Sequence, residues 1–151
     1  MTVFRIVRTT SLPVAEAWRR LTDWPAHAAQ VPLTRITVVT EGPSAVGTLF
    51  VARTGVGPAR FDDPMEIVRW EPPEAGRAGY CRLEKRGRVV LGWAEIEVRE
   101  SPSGAVVTWT EELRLRGLPE AAGPVLARAG RRVFGRAVDG LLGGGPQSPA
   151  R

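Results

Sequence analysis

The sequence predicts an α+β protein: a curved antiparallel sheet of about seven strands wrapped around one long C-terminal helix, with two short helices after the first strand. Three observations predict it. From residue 34 to residue 116 the chain reads as alternating segments separated by short turns, as an antiparallel meander requires. Between Leu118 and Leu142 apolar residues recur at 118, 122, 125, 126, 129, 133, 137 and 141, a helical period. And "RTTSLPVAEAWRRLTDWPAH", residues 8–27, runs a strand straight into a helix that breaks on Asp23-Trp24-Pro25.

In order, residues 2–11 form the first strand, with Phe4 and Ile6 on one face and Val3, Arg5 and Val7 on the other. Ser11 is placed to cap the next helix, with Pro13 in its first turn. Val14, Ala17, Trp18 and Leu21 make the apolar face of that helix. Pro25 starts the second short helix, "PAHAAQ". "TRITVVTE" and "TLFVART" pair as a hairpin around "GPSAVG". "MEIVRW" lies in the next strand, where Asp63 before Pro64 reads as a turn or bulge. "YCRLEKRG", "VVLGWAEIEVRE" and "AVVTWTEELRLRG" complete the meander. Pro119 opens the long helix, and residues 144–151 read as a flexible tail.

With 151 residues and 43% apolar content, the chain suits one soluble domain. No apolar run is long enough to span a bilayer, and "MTVFRIVRTT" alternates instead of forming a signal peptide. A cytoplasmic location is therefore expected. One cysteine, Cys81, and one histidine, His27, cannot supply a four-ligand metal site, so no metal or cofactor is expected. Net charge is +5, carried almost wholly by arginine; Lys85 is the single lysine. Arginine favours carboxylate and phosphate partners.

Three motifs in their order carry a family resemblance: "SLPVAEAWRRLTDWPAH", "VGTLFVARTG", and "GAVVTWTEEL" followed by a long helix. The chain resembles the START-like, or Bet v 1-like (SRPBCC), helix-grip superfamily, and within it the polyketide cyclase/dehydrase and lipid-transport group. The likeness covers residues 2–142. It implies a single ligand-binding domain over residues 1–143, with a hydrophobic cavity between sheet and C-terminal helix. It further implies a small hydrophobic ligand such as a lipid, a polyketide or another aromatic metabolite. Members include carriers, sensors and cyclases or dehydratases, so the fold does not decide among them.

Glu111 is the foremost candidate for chemistry. In "AVVTWTEELRL" the residues Val107, Trp109, Glu111, Leu113 and Leu115 share one face, and that face looks inward. A carboxyl group among apolar neighbours has a raised pKa and can act as acid or base, or it can be a structural partner of an arginine. Arg53 is the candidate partner if its strand face turns inward; Phe50 on the opposite face leaves both directions open. His27, on the second short helix, is the candidate proton shuttle or a structural capping histidine. Trp109 is the expected aromatic wall, Trp24 the expected lining of the entrance. Met65, Ile67, Tyr80, Leu113, Val133 and Ala137 are the further expected ligand contacts. Trp93 shares its face with Glu95 and Glu97, which favours the outside. Cys81 reads as a small buried hydrophobe.

Three functions fit this pattern. One is a cavity protein that binds a small apolar molecule as carrier or sensor. A second is a cyclase or dehydratase using Glu111, Arg53 and His27. A third is an interaction module using Arg128, Arg131, Arg132 and Arg136 on the helix. No nucleic-acid motif is present, which argues against a specific nucleic-acid partner. Oligomeric state is not encoded in any pattern found.

Overall fold

A computed structural model describes residues 2–143. The tail expected at 144–151 lies outside the described residues. Strand β1 spans Val3–Thr10, and helices α1 (Val14–Leu21) and α2 (Trp24–His27) follow it. Six strands come next: β2 Thr34–Val38, β3 Leu49–Val56, β4 Ala59–Glu71, β5 Gly79–Lys85, β6 Val90–Ser101 and β7 Gly104–Leu115. A 3-10 turn at Glu120–Ala122 leads into helix α3, Gly123–Gly143. The strands form one antiparallel sheet in the order β1-β7-β6-β5-β4-β3-β2. This is the helix-grip architecture expected from the sequence.

The sheet has one covered face because its strands alternate. Phe4 and Ile6 of β1, Cys81 and Leu83 of β5, Ala94, Ile96 and Val98 of β6, and Val107 and Trp109 of β7 are all buried. The register of β4 against β5 shifts between Ile67 and Arg69. That bulge keeps Ile67 inside and returns Trp70 to the inner side, where it packs on Trp18 of α1 with ring centroids 5.1 Å apart. Gly92 sits at φ 126°, and a Cβ there would collide with the Glu112 carbonyl oxygen across the β6–β7 ladder.

Two local expectations change. Ser11 does not cap α1: the N-cap is Pro13, with no side-chain cap bond. Asp63-Pro64 is neither a turn nor a bulge, because β4 runs through it and Val51 pairs with Pro64. The long helix turns to the sheet a face only partly shared with its expected apolar residues: Ala137 and Leu141 lie on it, Val125 and Val133 do not. Gly130, Gly135, Ala137, Val138 and Leu141 are buried, whereas Val125 and Val133 are exposed. Close approach explains the rotation. A Cβ on Gly130 would come 2.6 Å from the ring of Phe4, so glycine lets α3 lie against β1.

Among the described residues no helix is long and apolar enough to cross a membrane.

Candidate functional site

Between the sheet and α3 lies a cavity of about 260 Å³. An apolar cavity of about 150 Å³ already admits benzene, so this one has room for a molecule of about two rings. Along the cavity runs a series of five rings in contact, stacked at Phe50–Trp24 and Trp109–Phe134 and tilted on either side of His27. Phe50 lies on Trp24 at 4.7 Å, Trp24 on His27 at 5.7 Å, His27 on Trp109 at 5.7 Å, and Trp109 on Phe134 at 5.8 Å. All five of these residues line the cavity. The half-exposed Phe61, with Val31, Thr34 and Leu126, marks where it opens to solvent.

The break at Asp23-Trp24-Pro25 is what builds this run of rings. Pro25 lies in the first turn of α2, whose N-cap is Asp23. The new helix direction brings both Trp24 and His27 to the inside. Trp24 stays anchored by its indole N–H, which donates to Ser44 Oγ at 3.0 Å. His27 Nε2 is 2.8 Å from the Leu21 carbonyl oxygen, which only accepts, so Nε2 carries the proton and Nδ1 is the acceptor. Burial lowers the His27 pKa, and the ring is neutral at pH 7.

The polar end of the cavity is a cluster of three side chains. Lys85 Nζ donates to Asp63 Oδ2 at 2.7 Å and lies 3.8 Å from Glu111 Oε1. All three groups are buried, and all three line the cavity. Burial raises Glu111 to about 7, with the nearby Asp63 adding to the rise and Lys85 opposing it. Asp63 is raised as well, again by burial and against the pull of Lys85. Burial works against the Lys85 charge, but Glu111 and Asp63 outweigh it, so its pKa is raised and the ammonium persists. Glu111 Oε2, Asp63 Oδ1 and Trp109 Nε1 are buried with no hydrogen-bond partner among the described residues.

Of the residues singled out in the sequence, Glu111, His27, Trp109, Trp24, Met65 and Leu113 come together around this cavity. Arg53 does not. It points out of the sheet and pairs with Asp62 at 2.7 Å, because Phe50 and Ala52 take the inner face of β3. Tyr80 is on the outer face too, under the Arg69 guanidinium at 4.4 Å. Val133 is on the outer side of α3, and Ile67 and Ala137 are buried in the core without lining the cavity. Trp93 lies outside, with its N–H on Glu112 Oε2 and Arg82 over its ring. Sequence reasoning missed Asp63 and Lys85. The alternation was there to read: Cys81, Leu83 and Lys85 share one face of β5, and Asp63, Met65 and Ile67 one face of β4.

The family description that matches residues 1–143 is "Polyketide cyclase / dehydrase and lipid transport". The chain belongs to that family. Solved structures agree on the fold. The Zhui aromatase/cyclase from Streptomyces sp. R1128 superposes with a TM-score of 0.68 at 15% identity, over 93% of this chain and 91% of that one. Protein CV1439 from Chromobacterium violaceum gives 0.66 at 14% identity, over 94% and 95%. Ara h 8.0201 gives 0.61 at 13% identity, over 94% and 98%. At such identities these likenesses speak to the polyketide cyclase/dehydrase fold alone. No curated protein matches the sequence.

Proposed function

We propose that this protein binds a small, flat, apolar molecule in the cavity between sheet and α3, as a carrier or sensor. The observation that carries the reading is the run of five rings in mutual contact along a cavity of about 260 Å³. A lining of rings together with aliphatic side chains such as Leu83 and Val90 suits a planar apolar ligand. The test is titration with a neutral two-ring fluorescent aromatic, 2-naphthylamine, followed by its emission. Saturable binding with one site per chain supports the reading. Emission that rises without saturation, and equally with a variant whose cavity is filled, overturns it.

A second reading has its own observation. Glu111, raised to about 7, shares the cavity with neutral His27. A carboxyl group that titrates near pH 7 is suited to give and take protons in an enolisation or dehydration. Under this reading Glu111 is the acid–base group and His27 Nδ1 a second proton acceptor. Arg53 takes no part, since it lies outside. Turnover of a bound polyketide-like substrate, lost in Glu111→Gln with binding retained, distinguishes it from plain carriage.

A further inference from the structure

We infer that the cavity selects ligands whose polar end is a neutral hydroxyl, phenolic or enolic, and rejects those that end in a carboxylate. The inference rests on the ligand-binding reading above and adds the chemistry of the ligand's polar end. Three observations carry it.

The first is the charge count. Two carboxyl groups, Asp63 and Glu111, share one ammonium, Lys85, and among the described residues that line the cavity no other lysine or arginine is present. A ligand carboxylate would meet an acidic cluster whose only cation is already engaged. The like charge and the desolvation of a third carboxyl group both oppose it.

The second is a pair of unsatisfied atoms. Trp109 and Glu111 are neighbours on the inward face of β7, two residues apart. Trp109 Nε1 is a donor without an acceptor, and Glu111 Oε2 has no partner either. Each is expensive to leave unpaired in an apolar site. A hydroxyl group both donates and accepts, so it can pair with either atom. An apolar ligand satisfies neither atom, and a carboxylate satisfies only the donor wherever Glu111 is ionised.

The third is the placement of the cation. Lys85 Nζ is committed to Asp63 at 2.7 Å, with Met65 Sδ at 3.7 Å on another side. It is held by the protein's own carboxyl group and is not offered to an anion. A site built for fatty acids or other carboxylates needs the reverse, a cation in excess.

The test is a matched series: naphthalene, naphthol and naphthoate at pH 7, titrated by calorimetry into the intact chain. Naphthol is expected to bind about tenfold or more tightly than naphthalene, since it pairs a buried orphan atom, and naphthoate about tenfold or more weakly than naphthol. In Trp109→Phe, which keeps the ring and removes the N–H, the advantage of naphthol over naphthalene should shrink by several-fold. Naphthoate binding as tightly as naphthol overturns the inference, as does naphthalene matching naphthol. Either result leaves the ligand-binding reading standing. No binding by any of the three removes that reading and this inference with it.

Discussion

Lys85 and Glu111 sit on strands that do not touch, β5 and β7, yet the Lys85 ammonium lies 3.8 Å from the Glu111 carboxyl oxygen. The strand between them makes this possible. On β6 the inward position that pairs with Glu111 is Ala94, and the same Ala94 pairs with Leu83 of β5. A small side chain there lets the lysine stem cross the width of a strand, with its methylenes in apolar surroundings and its charge among carboxyl groups.

The cluster should be fragile to loss of its cation. Lys85→Met leaves Asp63 and Glu111 facing each other without a counter-charge, and should destabilise the fold by about 3–5 kcal/mol at pH 7. Adding Glu111→Gln to that variant should restore part of the loss. Urea denaturation of the single and double variants checks both statements. Equal stability of Lys85→Met and the parent would contradict the pairing.

The part of the stability that depends on Glu111 should fall as pH rises from about 4.5 to about 7. Glu111 has an ordinary value of 4.5 and a folded value of about 7, so the folded chain holds a proton there that the unfolded chain releases. The contribution is complete below the unfolded value and is lost as pH climbs through the folded one. Its size is on the order of a few kcal/mol. Asp63, which faces the same lysine and is also raised, acts in the same direction. His27, with its pKa lowered by burial, acts oppositely: its contribution is present above 6.5 and is lost as pH falls through its folded value. The difference between the parent and Glu111→Gln, measured by denaturation at several pH values, isolates the Glu111 part. A difference that does not change with pH would contradict the raised carboxyl.

Ala94→Leu should occupy the space that Lys85 crosses and reduce the cavity. Overpacking of this kind costs about 1–3 kcal/mol, so the fold survives while binding of 2-naphthylamine is lost. Circular dichroism separates loss of binding from loss of fold. Undiminished binding would place the ligand elsewhere.

Arg53→Ala should leave binding of the same probe unchanged, because Arg53 faces outward and pairs with Asp62. Trp109→Leu should weaken it at least several-fold, by removing the ring between His27 and Phe134. The two titrations together distinguish the cavity described here from a site on the outer face of β3.

Cys81 should resist thiol reagents until the protein unfolds. Burial pushes its thiol up to about 12 and leaves it without accessible surface. Labelling kinetics in rising denaturant should therefore follow unfolding. Rapid labelling of the native protein would contradict this.

The architecture was legible because β1, β5, β6 and β7 carry a clear period of two and the turns between strands are rich in glycine and proline. Glu111 was legible for the same reason, since Trp109 and Leu113 flank it on one face. Arg53 was not, because "TLFVART" has large apolar residues on both faces and period alone does not choose between Phe50 and Val51. The helix face was misjudged at Val133 because hydrophobicity does not register glycine, and Gly130 is the point of closest approach to Phe4. Asp63 and Lys85 were hidden by habit of reading: a carboxyl beside proline suggests a turn, and a lone lysine suggests solvent. Their pairing spans 22 residues of sequence and exists only through the β4–β5 register.

The most direct test of ligand binding in this cavity is native mass spectrometry of the protein as purified from cells, beside Ala94→Leu, both before and after exposure to a metabolite extract. A small molecule retained by the parent and absent from the variant is the predicted result. Identical bare masses for both proteins, before and after the extract, would contradict it.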